Sequence, residues 1–282
     1  MENTFAKTAR LNWKVRNERD HLRVKEIADE KHPFIYDDDL ATRARAVIRD
    51  FALRILPVTD KNKRLLGKVS RRDIMTISSS VSSMRVRGVM TEPKYVATMD
   101  DDAVSTIREM IRHGAWYAPV VSSAKDATYR GVLSLEDFIR ASLKTSPERL
   151  SKPVSEIMCK DVVTCTPDDE VDNVWRLMQT KSFAGLPVVK KDKLVGIVSQ
   201  KDLLEHGTAF PTFESKKGRF RASVRISSIM KTPALTVEPS AKIVDAARIM
   251  VEKNVGRIPV RDAKGRLVGI VDREDIVRLL TK

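Results

Sequence analysis

Cysteine, histidine and long apolar runs are scarce in this 282-residue sequence, and each scarcity excludes a class of protein. The two cysteines, Cys159 and Cys165, are too few for a disulfide framework and favour a reducing compartment. The four histidines are scattered, without the spacing of metal ligands. No run approaches the roughly 20 apolar residues of a membrane span, and the N-terminal segment lacks the apolar core of a secretion signal. We therefore expect a cytoplasmic protein with no membrane segment and no metal site.

Motifs of catalysis are also lacking. The sequence has no P-loop, no Gly-x-Gly-x-x-Gly stretch after a strand, and no nucleophile with a positioned base. We therefore expect a protein that is not an enzyme and that requires no cofactor for chemistry.

Acidic residues are outnumbered. The sequence has 52 Lys and Arg against 38 Asp and Glu, a formal net charge of +14. This excess favours anionic partners, such as nucleotide phosphates, nucleic acid or an acidic protein face. A solvated, charge-rich surface explains the excess equally well, so the charge alone leaves both interpretations open.

The dominant positive feature is a repeat. The stretch GIVSQKD at 196–202 recurs as GKVSRRD at 67–73, GVLSLED at 131–137 and GIVDREDI at 269–276. An apolar-Pro-Val marker precedes each copy, and a short opening marker begins each unit, as EIA at 26–28, GVM at 88–90, EIM at 156–158 and SIM at 228–230. The Pro follows the opening marker by 29 residues in all four units. The chain therefore contains four copies of one supersecondary unit.

The third copy shows the predicted order of elements. A Val- and Thr-rich stretch predicts a short strand at 161–167, and apolar residues at helical spacing predict a helix at 168–182. A Pro-containing strand is expected at 184–190, at the edge or start of a sheet, and a second strand at 193–199. A closing helix at 200–207 would end at its glycine. The predicted order is β-α-β-β-α.

These markers resemble those of CBS (cystathionine-β-synthase-type) domains, and the resemblance covers about residues 24–281. It implies an α/β (α+β) fold of four β-α-β-β-α repeats, packed in a disc as two pseudo-two-fold pairs called Bateman modules. The layout is similar to that of the gamma subunit of AMP-activated protein kinase and of archaeal free-standing CBS proteins. The expected organisation is a basic N-terminal arm at 1–23, repeats at 24–79, 86–142, 154–206 and 226–282, a linker at 143–153 and a basic loop at 207–225.

The resemblance also implies a function. Members of this family bind adenine nucleotides or related adenosyl compounds in clefts between paired repeats. We therefore expect a non-catalytic regulatory protein, of an energy-sensing kind, that binds AMP, ADP, ATP or S-adenosylmethionine. It would act on an unidentified protein effector, as a monomeric disc or as a homodimer.

The hydroxyl–carboxylate pair in each repeat has two compatible interpretations. It can cap the following helix locally, or it can hold a ligand, with the Asp accepting from ribose hydroxyls and the helix start facing phosphate. The pairs are Ser70 and Asp73, Ser134 and Asp137, Ser199 and Asp202, and, in the fourth repeat, Asp272 and Asp275.

The four copies are not equally equipped. Six residues after the opening marker, where the family commonly has a Thr beside the base, stand Phe34, Val96, Thr164 and Thr236. The third copy is the best predicted site, because Thr164 accompanies Ser199 and Asp202, and Arg257 could supply a phosphate donor.

The other copies fit less well. The fourth copy would use Thr236 and Asp275, and it would suit a ligand with little negative charge, because Asp272 repels phosphate. In the first copy, Arg71 and Arg72 either hold phosphate or lie in a solvated helical turn. In the second, Trp116 and Tyr117 either stack on a base or belong to the core.

The basic loop allows an alternative function. Basic residues alternate there with Phe213 and Phe220, a pattern found in proteins that bind single-stranded nucleic acid. The same loop could clamp ligand phosphates or be a solvated connection. The alternative is therefore a nucleic-acid-binding CBS protein that uses residues 213–225, with contacts from Lys216, Lys217, Arg219 and Arg221.

Overall fold

The computed structural model describes residues 22–75, 83–206 and 224–282. The first two repeats each contain a short parallel strand, a helix, an antiparallel strand pair and a closing helix. The elements of the first are α1 (Val24–Ile27), β1 (Ile35–Tyr36), α2 (Ala41–Asp50), β2 (Ile55–Thr59), β3 (Leu65–Ser70) and α3 (Arg71–Ile74). Those of the second are β4 (Ala97–Thr98), α4 (Ala103–Arg112), β5 (Tyr117–Val121), β6 (Tyr129–Ser134) and α5 (Leu135–Thr145).

The third and fourth repeats have the same order with a reduced first strand. The third contains α6 (Val171–Thr180), β7 (Gly185–Lys190), β8 (Lys193–Ser199) and α7 (Gln200–Glu205). The fourth contains α8 (Ile243–Glu252), β9 (Arg257–Arg261), β10 (Leu267–Asp272) and α9 (Arg273–Leu280). One-turn 3₁₀ helices at Val86–Gly88, Val154–Glu156 and Ile226–Ser228 open the second, third and fourth repeats, and another at Pro147–Leu150 lies in the linker.

The predicted first strand of the third repeat is mostly wrong. In place of a strand at 161–167 there is a single parallel bridge between Cys165 and Val188. Directly after this bridge the amide of Thr166 donates to the Asp169 side chain at 2.7 Å, so the chain turns towards the helix at that point. The helix predicted at 168–182 is present but shorter, at Val171–Thr180.

The strand pair of the third repeat matches the prediction closely. Strands β7 and β8 pair antiparallel, and Pro187 lies opposite Ile197. The turn between them uses Lys191 and Asp192, both with positive φ. Helix α7 begins as predicted at Gln200, and the glycine expected to end it lies outside the described residues.

Each repeat pairs with its sequence neighbour through a short segment near its start. We call this the opening segment; it runs from the last residue of the opening marker to the start of the first strand or bridge, at 28–34, 90–96, 158–164 and 230–236. The opening segment of one repeat bridges to the last strand of the other, as Ile197 does with Lys231 and Val132 with Asp29. The marker glycine permits this approach, because a Cβ at Gly196 would lie 2.8 Å from the carbonyl oxygen of Lys231. Repeats 1 and 2 therefore form one module, and repeats 3 and 4 form the other.

Two hydrophobic cores join the modules within one chain. One core unites Ile48 of the first repeat with Met178 of the third. The other unites Ile139 of the second with Ile276 of the fourth, where α5 packs on α8 and α9. The first repeat thus packs on the third and the second on the fourth, which brings the starts of all four apolar-Pro-Val strands near one another. In the described ranges, every helix is too short or too polar to cross a membrane.

Candidate functional site

The hydroxyl–carboxylate pair caps a helix in each of the first three repeats. The Ser199 hydroxyl donates to Asp202 Oδ2 at 2.6 Å, the Ser199 amide donates to the same oxygen at 2.8 Å, and the Asp202 amide donates to the hydroxyl at 3.4 Å. Ser70 with Asp73 and Ser134 with Asp137 make the same contacts. Local capping is therefore present, and a ligand role for these pairs stays a prediction.

The fourth repeat replaces the hydroxyl with a second carboxylate. The Asp272 amide donates to Asp275 Oδ2 at 2.8 Å, and Asp272 Oδ1 accepts from the amides of Glu274 and Asp275. Burial raises the pKa of Asp272, and burial followed by the charge of Asp272 raises the pKa of Asp275 to about 7. The two carboxylates therefore carry a proton between them near neutral pH.

Each capping pair faces the opening segment of the other repeat in its module. Lys231 Nζ, from the fourth repeat, lies 3.5 Å from Asp202 Oδ1, and Thr91 Oγ1, from the second, lies 3.5 Å from Asp73 Oδ2. The sequence analysis placed Thr164 with Ser199 and Asp202, but these contacts bring that pair next to the segment that contains Thr236. Thr164 belongs instead to the segment that bridges to β10 through Cys159, beside the fourth repeat's acidic pair. The clefts are therefore composed of two repeats each.

Arg257 connects the fourth repeat to the third. Its Nη1 donates to the carbonyl oxygen of Gly185 at 2.9 Å, and Gly185 is the strand partner of Ser199. The guanidinium carbon lies 5.9 Å from the centroid of the Trp116 ring, which belongs to the second repeat. The structure therefore places Arg257 near the capping pair of the third repeat, as the sequence suggested.

Arg54, Arg71 and Arg273 lie near Arg257 where the four repeats converge. We call these four residues the arginine junction. A Cβ added at Gly256 would lie 3.6 Å from the Trp116 ring and 3.7 Å from the Arg54 guanidinium, which shows how closely the repeats approach. Burial is the main cause that lowers the pKa values of Arg71, Arg257 and Arg273. The positive charge of Arg54 lowers all three pKa values further.

The two most buried arginines of the junction differ in their partners. Arg273 forms an ion pair with Glu136 and donates to Tyr117 Oη at 2.8 Å, so its charge is compensated. Arg71 is 7% exposed, donates to the carbonyl oxygen of Ala52 and forms no ion pair within the described ranges. Its pKa falls to about 10 through burial and then through Arg54.

Trp116 is part of the packing between repeats. Its Nε1 donates to Glu274 Oε2 at 2.8 Å, and it packs against the core shared by the second and fourth repeats. The sequence analysis did not single out Arg54, Arg273 or Lys231. The available signal was that Arg follows the capping residue in the first and fourth repeats, where Leu and Gln stand in the others.

Residues of the basic loop at 207–223, which include Lys216, Lys217, Arg219 and Arg221, lie outside the described residues, as does the arm at 1–21. The structure therefore gives no contacts for the predicted nucleic-acid or phosphate role of this loop. Arg225, at its end, donates to the carbonyl oxygen of Asp168.

Comparison with known proteins identifies the family. The CBS domain family model matches residues 24–80, 86–144, 154–208 and 226–282. Protein MJ1225 of Methanocaldococcus jannaschii is 26% identical over 279 residues, which is 91% of this chain and 98% of that protein. Its crystal structure, described as that of a proposed archaeal homologue of γ-AMPK, superposes with a TM-score of 0.80 at 25% identity, covering 92% of this chain and all of that one.

Two further comparisons, one of sequence and one of structure, extend across most of this chain. Protein MJ1404 of the same organism is 28% identical over 270 residues, and the alignment spans 91% of this chain but 61% of that protein. A conserved Pyrococcus horikoshii protein shares the fold alone, with a TM-score of 0.64 at 20% identity and coverage of 92% of this chain and 100% of that one. This chain therefore belongs to the CBS domain family and contains four CBS domains.

Proposed function

We propose that this chain is a non-catalytic regulatory protein that binds an adenine nucleotide (AMP, ADP or ATP) or a related adenosyl ligand such as S-adenosylmethionine. The ligand lies in a cleft between paired repeats, and its phosphates are directed to the arginine junction. The observation that carries the proposal is Arg71, a buried cation that forms no ion pair within the described ranges. The description of MJ1225 as a proposed γ-AMPK homologue supports the nucleotide class.

The electrostatics of the junction favour a bound anion. A buried charge without a counter-charge is unfavourable, because it has lost its hydration and gained no partner. The Nε atoms of Arg71 and Arg273 have no hydrogen-bond partner among the described residues. A phosphate at the junction would supply the missing acceptors, and arginine matches its oxygens with a planar fork of donors.

The third repeat's capping pair offers the best cleft. Asp202 Oδ2 is occupied by Ser199, whereas, among the residues that the structure describes, Oδ1 has the exposed Lys231 as its ion-pair partner, at 3.5 Å. A ribose hydroxyl could replace that contact and donate to Oδ1, which would free Lys231 for phosphate. Arg257 also reaches this part of the third repeat, through its contact with Gly185, the strand partner of Ser199. Because Asp202 is 3% exposed, Lys231 must move before the ligand can enter.

The cleft at the fourth repeat's capping pair would favour a ligand of different charge from the one held by Asp202. Its paired carboxylates, Asp272 and Asp275, repel phosphate, so it suits an uncharged adenosine group or the sulfonium of S-adenosylmethionine. Thr164 would lie beside this ligand and Thr236 beside the ligand held by Asp202. The first and second repeats, with Ser70, Asp73, Ser134 and Asp137, complete the set of candidate clefts.

Regulation follows if the ligand prefers one packing of the repeats over another. The hydrogen bond from Arg257 to Gly185 joins the fourth repeat to the third, and a phosphate would compete for the same guanidinium. Binding would therefore change the contact between repeats and could be detected by a protein effector. If AMP and ATP changed this contact to different extents, the protein would respond to the energy state of the cell.

Calorimetric titration of nucleotide-stripped protein with AMP, ADP, ATP and S-adenosylmethionine tests this function. We expect saturable binding of at least one phosphorylated ligand, and weaker binding by at least about tenfold in Asp202→Asn, because a charge-assisted hydrogen bond to ribose is lost. Asp245→Asn, an exposed carboxylate on α8, is the matched control. Equal affinities for the wild type and Asp202→Asn would refute the assignment of this cleft.

A further inference from the structure

A lysine lies on the capping pair of the first repeat. Lys68 Nζ donates to Asp73 Oδ2 at 3.1 Å, and the same oxygen accepts from the amide and the hydroxyl of Ser70, at 2.7 Å each. Thr91 Oγ1, from the second repeat, lies 3.5 Å from this oxygen. The carboxylate that would accept from a ribose here therefore already has donors from two repeats. We call this place the Asp73 cleft, and its counterpart in the third repeat the Asp202 cleft.

Strand β3 directs Lys68 to the carboxylate. Lys68 precedes Ser70 by two residues, so the two side chains lie on the same face of the strand. The backbone amide and carbonyl of Lys68 exchange hydrogen bonds of 2.9 Å with Thr91, which joins the strand to the opening segment of the second repeat. Lys68 is therefore part of the wall of the Asp73 cleft.

Lysine at this position is peculiar to the first repeat. The residue after the marker glycine bridges to the paired opening segment in every repeat, and it is Val132, Ile197 or Ile270 in the other three. An aliphatic side chain cannot donate to a carboxylate. The first repeat thus keeps the Ser and the Asp of its capping pair but adds a cation that the equivalent strands of the other repeats do not have.

Burial distinguishes this contact from the one at Asp202. The side chains of Lys68 and Asp73 are 18% and 16% exposed. Lys231 is 60% exposed and lies farther from its carboxylate, at 3.5 Å. An exposed lysine exchanges its partner for water at little cost, whereas separation of a buried pair leaves both charges poorly solvated. Lys231 can therefore yield to a ligand much more readily than Lys68.

We infer that Lys68 is a built-in substitute for the ribose, which closes the Asp73 cleft to adenosyl ligands. A ribose hydroxyl is neutral, so its exchange for the ammonium group would lose the attraction between two charges. The inference rests on the proposed function, because it states which cleft takes no part in that function. Residue 68 therefore decides how many ligands the chain binds.

Calorimetric titration with AMP compares the number of sites in the wild type and in Lys68→Ile, which introduces the residue of the third and fourth repeats. We expect one more site per chain in Lys68→Ile, and loss of that added site when Asp73→Asn is combined with it. Lys25→Met, which removes an exposed ion pair with Asp100 in the same module, is the control and should leave the number of sites unchanged.

The reverse substitution tests the same reasoning at the Asp202 cleft. Ile197→Lys introduces the lysine of the first repeat and should weaken AMP binding there by about tenfold or more, because an ammonium group competes with the ribose for a charge-assisted hydrogen bond. Ile197→Met, which lengthens the side chain without adding charge, is the matched control and should bind AMP as the wild type does. An equal loss in both variants would assign the effect to shape and contradict the inference.

The pattern of AMP binding separates this inference from the proposed function. If the wild type bound AMP and Lys68→Ile gained no site, the inference alone would be overturned. Weaker AMP binding in Lys68→Ile would show that Lys68 holds the ligand, which would also overturn it. Absence of AMP binding in all of these proteins would overturn the inference together with the assignment of AMP as a ligand.

Urea denaturation tests the ion pair without any ligand. Lys68→Met and Asp73→Asn should each lower the urea midpoint, and the double variant should lose less than the sum of the two, because neither charge is then left buried without its partner. Additive losses would show that Lys68 and Asp73 do not interact, and the inference would fail.

Discussion

Glu136→Gln tests whether a buried charge pair holds the second repeat to the fourth. Arg273 has a side chain that is 1% exposed, and its carboxylate partner Glu136 is 13% exposed. Glutamine keeps the shape and one acceptor oxygen of Glu136 but removes its charge. The substitution therefore leaves the Arg273 cation buried between two repeats without a counter-ion.

The contacts of Glu136 and Arg273 determine how much unfolding free energy Glu136→Gln should lose. Removal of one partner of a buried ion pair costs about 3–5 kcal/mol, because the remaining charge is desolvated and unpaired. Arg273 retains its hydrogen bond to Tyr117 at 2.8 Å, so the loss should lie near the lower limit, about 3 kcal/mol. Glu136 also pairs with Arg140, which is 49% exposed, and the loss of that contact should add less than about 1 kcal/mol.

Urea denaturation followed by circular dichroism measures this effect as a change in the free energy of unfolding. Glu109→Gln is the matched control, because its partner Arg112 is 72% exposed and the pair should contribute at most about 1 kcal/mol. If Glu136→Gln and Glu109→Gln destabilised the protein equally, the reasoning from burial would be refuted.

Three other predictions concern the caps, the acidic pair and the contact between repeats. Ser199→Ala should lower the free energy of unfolding by about 1 kcal/mol through loss of the helix cap, and an unchanged urea midpoint would contradict the capping role. Because folding raises the pKa of Asp275 from 3.8 to about 7, the folded state binds more protons than the unfolded state between those values, and stability from this group falls as pH rises through them. Asp275→Asn should remove this part of the pH dependence, measured by denaturation at several pH values; identical pH profiles would disprove the shift. Gly196→Ala should cost about 1–3 kcal/mol, since the new Cβ would lie 2.8 Å from the Lys231 carbonyl oxygen, whereas Gly88→Ala, whose nearest neighbour is at 3.5 Å, should lose less in the same assay.

The repeat and its local elements could be predicted from the sequence because their signals are local. The two apolar runs that flank the Lys191–Asp192 turn predicted strands β7 and β8, and apolar residues at helical spacing predicted helix α6, all close to their observed bounds. The Ser199–Asp202 cap was predictable because both partners lie within four residues. The first strand of the third repeat was overpredicted, since its Val- and Thr-rich composition does not indicate how much of the segment pairs with β7, and the observed pairing is the single bridge from Cys165 to Val188.

Which residues come together at the candidate site could not be predicted in the same way. Nothing within a single repeat indicates that Asp202 faces Lys231 of the next repeat, because that contact depends on how opposite repeats pair. The burial of Arg71 depends on contacts between residues still farther apart in the sequence, because the first repeat packs on the third. The sequence analysis could name Arg257 only through resemblance, and it missed Arg54 and Arg273.

The most direct test of a phosphate-binding arginine junction is the AMP affinity relative to that of adenosine, measured by calorimetry in the wild type and in Arg257→Gln. Arg248→Gln, an exposed arginine on α8, is the control. The account predicts that AMP binds more tightly than adenosine, and that Arg257→Gln reduces this preference by about tenfold or more while Arg248→Gln leaves it unchanged. A preference for AMP that is the same in all three proteins would contradict the assignment of the phosphate to the arginine junction.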